Sequence, residues 1–156
     1  MRIELLALGT RMPDWVDAGV KDYIRRFGAE LRFELREIPL ARRGRDASAA
    51  RAVADEGERM LAGIRADAFV VALDVTGKMF STEQLSGWLR ERMRAGRDLT
   101  FLIGGPDGLA PECLKRSDLR WSLSALTLPH ALVRIVVAEQ LYRALSLLRG
   151  HPYHRA

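Results

Sequence analysis

The sequence predicts an α/β fold, a mostly parallel sheet with helices on both faces. Two observations carry this. Short apolar runs of strand length, Ile3–Leu8, Ala68–Leu73 and Leu99–Ile103, lack the in-out alternation of a half-wet strand, as expected of strands covered on both sides. Segments with apolar residues at helical spacing separate them, which is the pattern of strand–helix–strand units. A chain of 156 residues is long enough for one sizeable core. With no repeat, low-complexity stretch or linker, residues 1–156 read as a single domain.

In order, the run 3–8 ends at Gly9 and holds one charge, Glu4. Pro13 opens a helix, where its missing N–H costs nothing. Trp15, Val16, Val20, Tyr23, Ile24 and Phe27 take one side of that helix, with Lys21, Asp22, Arg25 and Arg26 on the other, and Gly28 is a stop. Phe33–Ile38 alternates apolar and charged residues, the signature of a strand with one wet face near a sheet edge. The loop Pro39–Arg45 carries Arg42, Arg43 and Arg45 around Gly44. It reads either as a solvated loop or as an arm for phosphate, since guanidinium forks suit phosphate oxygens. A helix from about Asp46 to Ile64 follows, with Val53, Met60, Leu61 and Ile64 as its stripe. After the strand Ala68–Leu73 and Asp74, residues Lys78–Ser81 lead into a third helix. There Ser81 and Gln84 have capping-box spacing and Leu85, Leu89 and Met93 form the inner stripe. Leu99–Ile103 is the next buried strand, Ala110–Arg116 a short helix, Leu119–Leu123 a last strand, and Pro129–Leu148 a long final helix.

In that last helix Leu132, Val133, Ile135, Val136, Val137, Leu141, Leu145 and Leu148 spread over more than one face. Burial against the sheet and against a second subunit would account for this, and so would a position deep in the chain's own core. Glu139 and Arg143 have the spacing of a helical ion pair. Arg134 lacks such a partner, so it pairs at a distance or serves a ligand.

Several functions are disfavoured. No stretch is long and apolar enough to span a membrane. The opening MRIELLALG lacks a signal-peptide pattern, so a cytoplasmic protein is expected. Cys113 is the only cysteine, which excludes an intrachain disulfide and argues against a cysteine-based zinc site. The nucleophile-elbow, zincin and Walker patterns are absent. His151 and His154 flank Pro152, which opposes the helical geometry a metal pair needs, so no metal is expected. The net charge of +5 suits a polyanionic partner without requiring one.

Two loops remain where backbone would do the binding. Gly104-Gly105-Pro106-Asp107-Gly108 follows a buried strand, and Leu123–Leu128 (LSALTL) precedes the final helix. Glycine lets a backbone approach a ligand closely. Together with Leu73–Asp74, both loops lie beyond strand ends, the usual ligand position in an α/β sheet. They offer amides, the hydroxyls of Ser122, Ser124 and Thr127, and apolar walls, but little charge. An adenine-bearing ligand fits such a pocket better than a triphosphate.

Motifs along the whole chain resemble the bacterial RlmH-type enzymes of the SPOUT class. They are Met12-Pro13-Asp14-Trp15-Val16, Arg42-Arg43-Gly44-Arg45, Leu73-Asp74 with Gly77-Lys78, and Leu102–Gly108. The later part adds Leu123–His130, Glu139–Ala144 and His151–Arg155. Asp107 stands where a glutamate is common in that family.

The resemblance implies an enzyme that uses S-adenosyl-L-methionine to methylate N3 of a pseudouridine in 23S ribosomal RNA. It implies a homodimer, a C-terminal trefoil knot, and cofactor contacts at Leu73, Gly104, Leu123, Ser124, Ala125, Leu126, Thr127 and Leu128. No covalent intermediate or metal is needed; a base must take the imide proton and a positive field must favour the anion. Arg134, His154 and Arg155 are candidates for that field, His154 for the base, and Tyr153 for stacking on the target nucleotide. The tail acts in its own subunit or across a dimer. No separate RNA-binding domain is present, so recognition would rest on the dimer surface and the ribosome's shape. A non-enzymatic ribosome assembly factor and a transfer-RNA methyltransferase are the rival readings.

Overall fold

The computed structural model describes residues 1–44 and 48–155. Strands β1 (Arg2–Leu8), β2 (Arg32–Ile38), β3 (Phe69–Lys78), β4 (Leu99–Ile103) and β5 (Leu119–Trp121) alternate with helices. The helices are α1 (Asp14–Ile24), α2 (Ala49–Gly63), α3 (Thr82–Ala95), α4 (Pro111–Arg116) and α5 (His130–Leu148), followed by a 3-10 turn at Pro152–His154. The strands form one sheet in the order β2-β1-β4-β3-β5. Every pairing is parallel, so the expected α/β class holds and the sheet is wholly rather than mostly parallel.

Alternation along the strands builds two cores. Ile3, Leu5 and Ala7 of β1 face a larger one with Leu85 and Leu89 of α3 and Val137, Leu141 and Leu145 of α5. Leu6 and Leu8 face a smaller one with Met60 of α2 and Cys113 of α4. Glu4 is only 4% exposed, and a carboxylate removed from water must be paired. Arg36 of β2 meets it at 2.8 Å and also donates to the Gly63 carbonyl, joining β1, β2 and the end of α2.

Local signals set several helix ends. Ser81 Oγ accepts from Gln84 N at 3.1 Å, and Gln84 Oε1 accepts from Ser81 N at 2.9 Å, so the capping box starts α3 as expected. Ser48 caps α2; the expected start at Asp46, and Arg45 of the arginine loop, lie outside the described residues. Helix α1 ends at Ile24, short of Phe27, because Phe27 turns into the core against Phe33 and Tyr142, with ring centroids at 4.7 Å and 5.8 Å.

Two larger differences concern β3 and α5. Strand β3 continues past Leu73: residues 74–77 bulge out, and Leu73 and Lys78 both pair with Trp121. Gly77 makes this possible, since a Cβ there would stand 2.6 Å from the Arg120 carbonyl carbon. Helix α5 is covered by its own chain on more than the sheet side. Ile135 Cδ1 lies 3.0 Å from where a Cβ on Gly19 of α1 would be, and Ser86 Oγ of α3 donates to Ala144 O at 3.0 Å. Much of the helix's second apolar face is thus met within one subunit, leaving Leu132 and Val136 half-buried.

Candidate active site

Because all strands run the same way, their carboxyl ends gather on one edge of the sheet. There the bulge of β3 and the residues after β4 and β5 form a cleft of about 670 Å³. Strand β3 supplies Leu73 and, from its bulge, Asp74 and Val75; the glycine loop supplies Gly104, Gly105, Pro106 and Gly108; the segment into α5 supplies Leu123, Ser124, Leu126, Thr127 and Leu128. Of the expected cofactor residues, only Ala125 is not on the wall. Sequence reading had missed Leu109, Leu114, Trp121, His130 and Val133 as lining residues. Leu114, Trp121 and Val133 lie in α4, β5 and α5, where an apolar residue reads as core; Leu109 lies in the loop before α4, and His130 opens α5.

The loop shapes have local causes. Gly108 has φ +78° and donates to Gly105 O at 3.0 Å, so the glycine loop folds back on itself. A Cβ on Gly104 would stand 2.8 Å from the Gly108 carbonyl carbon, which closes that position to any side chain. In the third loop, Ser122 Oγ donates to Ser124 O at 3.0 Å and Ser124 Oγ accepts from Leu126 N at 3.0 Å. Asp74 accepts from Thr76 N at 3.2 Å and Thr76 Oγ1 at 3.0 Å, with Arg120 4.0 Å away, and so shapes the bulge. Asp74 and His130 are the lining side chains able to change charge. No helix among the described residues could cross a membrane, and no group of three or more His, Cys, Asp or Glu among them could hold a metal ion.

The expected catalytic residues lie elsewhere in their own chain. Arg134 is fully buried and does not line the cleft. Its Nη1 meets Glu37 at 2.6 Å, and its Nη2 donates to Leu8 O at 3.1 Å and Gly9 O at 2.7 Å. Arg134 therefore pins the carboxyl ends of β1 and β2. Of the two roles the sequence left open, pairing at a distance is the one seen in this chain, and the partner Glu37 was invisible to helical spacing.

Tyr153 and His154 sit in the 3-10 turn, packed beside α1 and α5, and neither they nor Arg155 line the cleft of their own chain. Tyr153 Oη donates to Glu139 Oε1 at 2.9 Å and lies 3.3 Å from Tyr23 Oη. Glu139 holds Arg143 at 2.7 Å, as the spacing predicted. Arg143 lies over the Tyr153 ring at 5.1 Å, and Arg26 lies over the rings of Tyr23, Tyr142 and Tyr153. Burial, then hydrogen bonding to Tyr23 and Glu139, pushes the Tyr153 phenol well above the ordinary tyrosine range. His154 Nδ1 lies against the His151 carbonyl. A carbonyl can only accept, so in the neutral ring Nδ1 carries the hydrogen and Nε2 keeps the lone pair.

An all-parallel sheet with a cleft along the carboxyl side of three neighbouring strands defines an α/β protein with a cleft of small-ligand size. The particular family follows from its relatives. The family model described as "Predicted SPOUT methyltransferase" matches residues 1–154, and the chain belongs to that family. It is 56% identical to the ribosomal RNA large subunit methyltransferase H of Thioalkalivibrio sulfidiphilus over 155 residues, 99% of each chain. Identity to the protein of the same name from Alkalilimnicola ehrlichii is 55% over 160 aligned positions, 100% of each chain. The Pseudomonas aeruginosa counterpart is 52% identical over 155 residues, 99% of this chain and 100% of that one.

Proposed function

We propose that this chain is an S-adenosyl-L-methionine-dependent methyltransferase acting on N3 of a pseudouridine in the 23S ribosomal RNA of the large subunit, on the assembled ribosome in the cytoplasm. The observation that carries the reading is the cleft at the ends of β3, β4 and β5, in a chain whose full-length relatives are named as large-subunit RNA methyltransferases. The cleft suits the cofactor on physical grounds. Its walls are apolar side chains and main chain, and Gly104 keeps the floor free of a side chain. Leu73, Gly104 and Leu123–Leu128 would hold the adenosine part through backbone groups.

When bound, the cofactor supplies an electrophilic methyl group. The chain's own residues then have to orient the acceptor nitrogen, exclude water and take up a proton. The Nε2 lone pair of His154 suits proton acceptance from the imide, and the positive charge of Arg155 favours the resulting anion. Since the docked tail lies away from its own cleft, it serves the cleft of a second copy, in a homodimer that covers the half-buried Leu132 and Val136 of α5. Tyr153 anchors the tail in this scheme, while Arg134 shapes the end of β1. The threading of the C-terminal segment into a trefoil knot is part of the same proposal, supported by the close backbone passage at Gly77.

With a net charge of +5, ribosome binding rests on surface cations such as the exposed Arg42 and weakens steeply with added salt. Calorimetric titration with S-adenosylmethionine tests the reading: saturable binding near one site per cleft supports it. Absence of binding would favour the non-enzymatic assembly factor.

A further inference from the structure

The arginine loop and the glycine loop meet through one side chain. Arg43 Nε donates to Asp107 Oδ2 at 2.9 Å, its Nη2 to Glu56 Oε1 at 3.0 Å, and its Nη1 to Glu56 Oε2 at 3.2 Å and Ala41 O at 3.1 Å. Glu56, on α2, is 1% exposed, and its Oε2 also accepts from Ala41 N at 3.3 Å. Arg59 of the same helix donates to Pro39 O at 3.1 Å. Residues 39–43 are therefore fastened to α2, and they reach across the end of β1 to the loop after β4. Leu40 Cδ2 stands 3.0 Å from where a Cβ on Gly105 would be, so the two loops pack closely there as well. Asp107 itself is absent from the cleft wall, although Pro106 and Gly108 on either side line it. Its carboxylate is spent on Arg43.

A loop with three glycines in five residues loses much chain entropy on being held in one shape. An arginine forked between two carboxylates, one of them buried in a helix, supplies a fixed post for it. We propose that Arg43 is a positioning residue for the cleft: through Asp107 it holds Gly104–Gly108 in the ligand-binding shape, and through Glu56 it ties that loop to α2. The inference rests on the reading of the cleft as a cofactor site.

Asp107→Ala tests it, because this change leaves the buried Arg43–Glu56 pair in place. Binding of S-adenosylhomocysteine is measured by calorimetry alongside the thermal midpoint. The expected result is a Kd raised about fivefold, the size of a partly exposed ion pair, with little change in midpoint. Asp107→Glu, which keeps the charge, restores Kd to within about twofold. An unchanged Kd in Asp107→Ala overturns the proposal, as does a lowered midpoint without a change in Kd. If the unaltered protein fails to bind S-adenosylhomocysteine, the cofactor reading falls and this inference with it; normal binding with an indifferent Asp107→Ala removes the inference alone.

Discussion

Tyr153 Oη donates to Glu139 Oε1 at 2.9 Å, and this bond turns the one aromatic residue of the tail toward its own subunit. Stacking on a nucleotide, the role expected for Tyr153, is not what the docked tail offers. The bond instead fixes the residue next to His154. Tyr153→Phe keeps the ring contacts with Tyr23 and Tyr142 and removes only the hydroxyl. A hydrogen bond to a charged acceptor of this kind contributes about 1.5 kcal/mol, so methyl transfer falls roughly tenfold. Cofactor affinity stays within about twofold, because the tail does not line its own cleft. Single-turnover transfer and calorimetry read the two effects separately.

The same bond predicts a pH effect. Burial and its hydrogen bonds raise the Tyr153 phenol, so the docked tail prefers the neutral form. An undocked tyrosine ionises near pH 10. The contribution of docking is therefore complete below about pH 10 and is lost as pH climbs through the raised value. In an absorbance titration of the three tyrosines, one ionises last, and Tyr153→Phe removes that late step.

Gly77 and Gly87 should respond to alanine in opposite directions. A Cβ at Gly77 would stand within 2.7 Å of three backbone atoms of Arg120 and Trp121, and none of these is the end of a flexible side chain. Gly77→Ala is expected to cost about 2–3 kcal/mol by overpacking. Gly87, inside α3, has nothing within 4 Å of the added carbon. Gly87→Ala should gain about 0.5–1 kcal/mol through helix propensity. Chemical denaturation midpoints of the two variants provide the comparison.

These positions also show what could be read from the sequence. Buried strands such as Leu99–Ile103 and loops such as Gly104–Gly108 announce themselves, because apolar runs and glycines report local needs. The bulge at 74–77 did not, since its reason is Arg120, a residue more than forty positions later that passes too close for a side chain. Arg134 and Glu37 likewise find each other across 97 positions, a pairing no periodicity reveals. Glu56 looks like one more charge on a helix until Arg43 is seen to bury it. The loops that wall the cleft were legible for the converse reason: their shape rests on backbone freedom, and the residues that free the backbone are visible in the sequence.

Arg134→Met should behave as a stability variant. It removes the partner of Glu37 and leaves the carbonyls of Leu8 and Gly9 without their donor. Glu37 is about a third exposed, so the cost falls at about 2–4 kcal/mol, below that of a fully buried pair. Transfer per folded molecule at saturating cofactor should stay within about threefold. A loss of a hundredfold or more with normal stability would return Arg134 to a direct role.

Cys113 has no part in the chemistry proposed. It is buried, packed near Gly57, and burial raises its thiol above the ordinary value, leaving little thiolate at neutral pH. A thiol reagent such as iodoacetamide should leave the native protein unmodified and label one site after denaturation. Inactivation of the native protein by that reagent would contradict this.

The most direct measurement is transfer of a labelled methyl group from S-adenosylmethionine to intact ribosomes, to naked ribosomal RNA and to transfer RNA, followed by mapping of the modified nucleotide. Label at N3 of a single pseudouridine in 23S RNA, obtained with assembled ribosomes and far weaker with naked RNA, is the predicted result. Label in transfer RNA, or none in any substrate despite cofactor binding, would contradict the account.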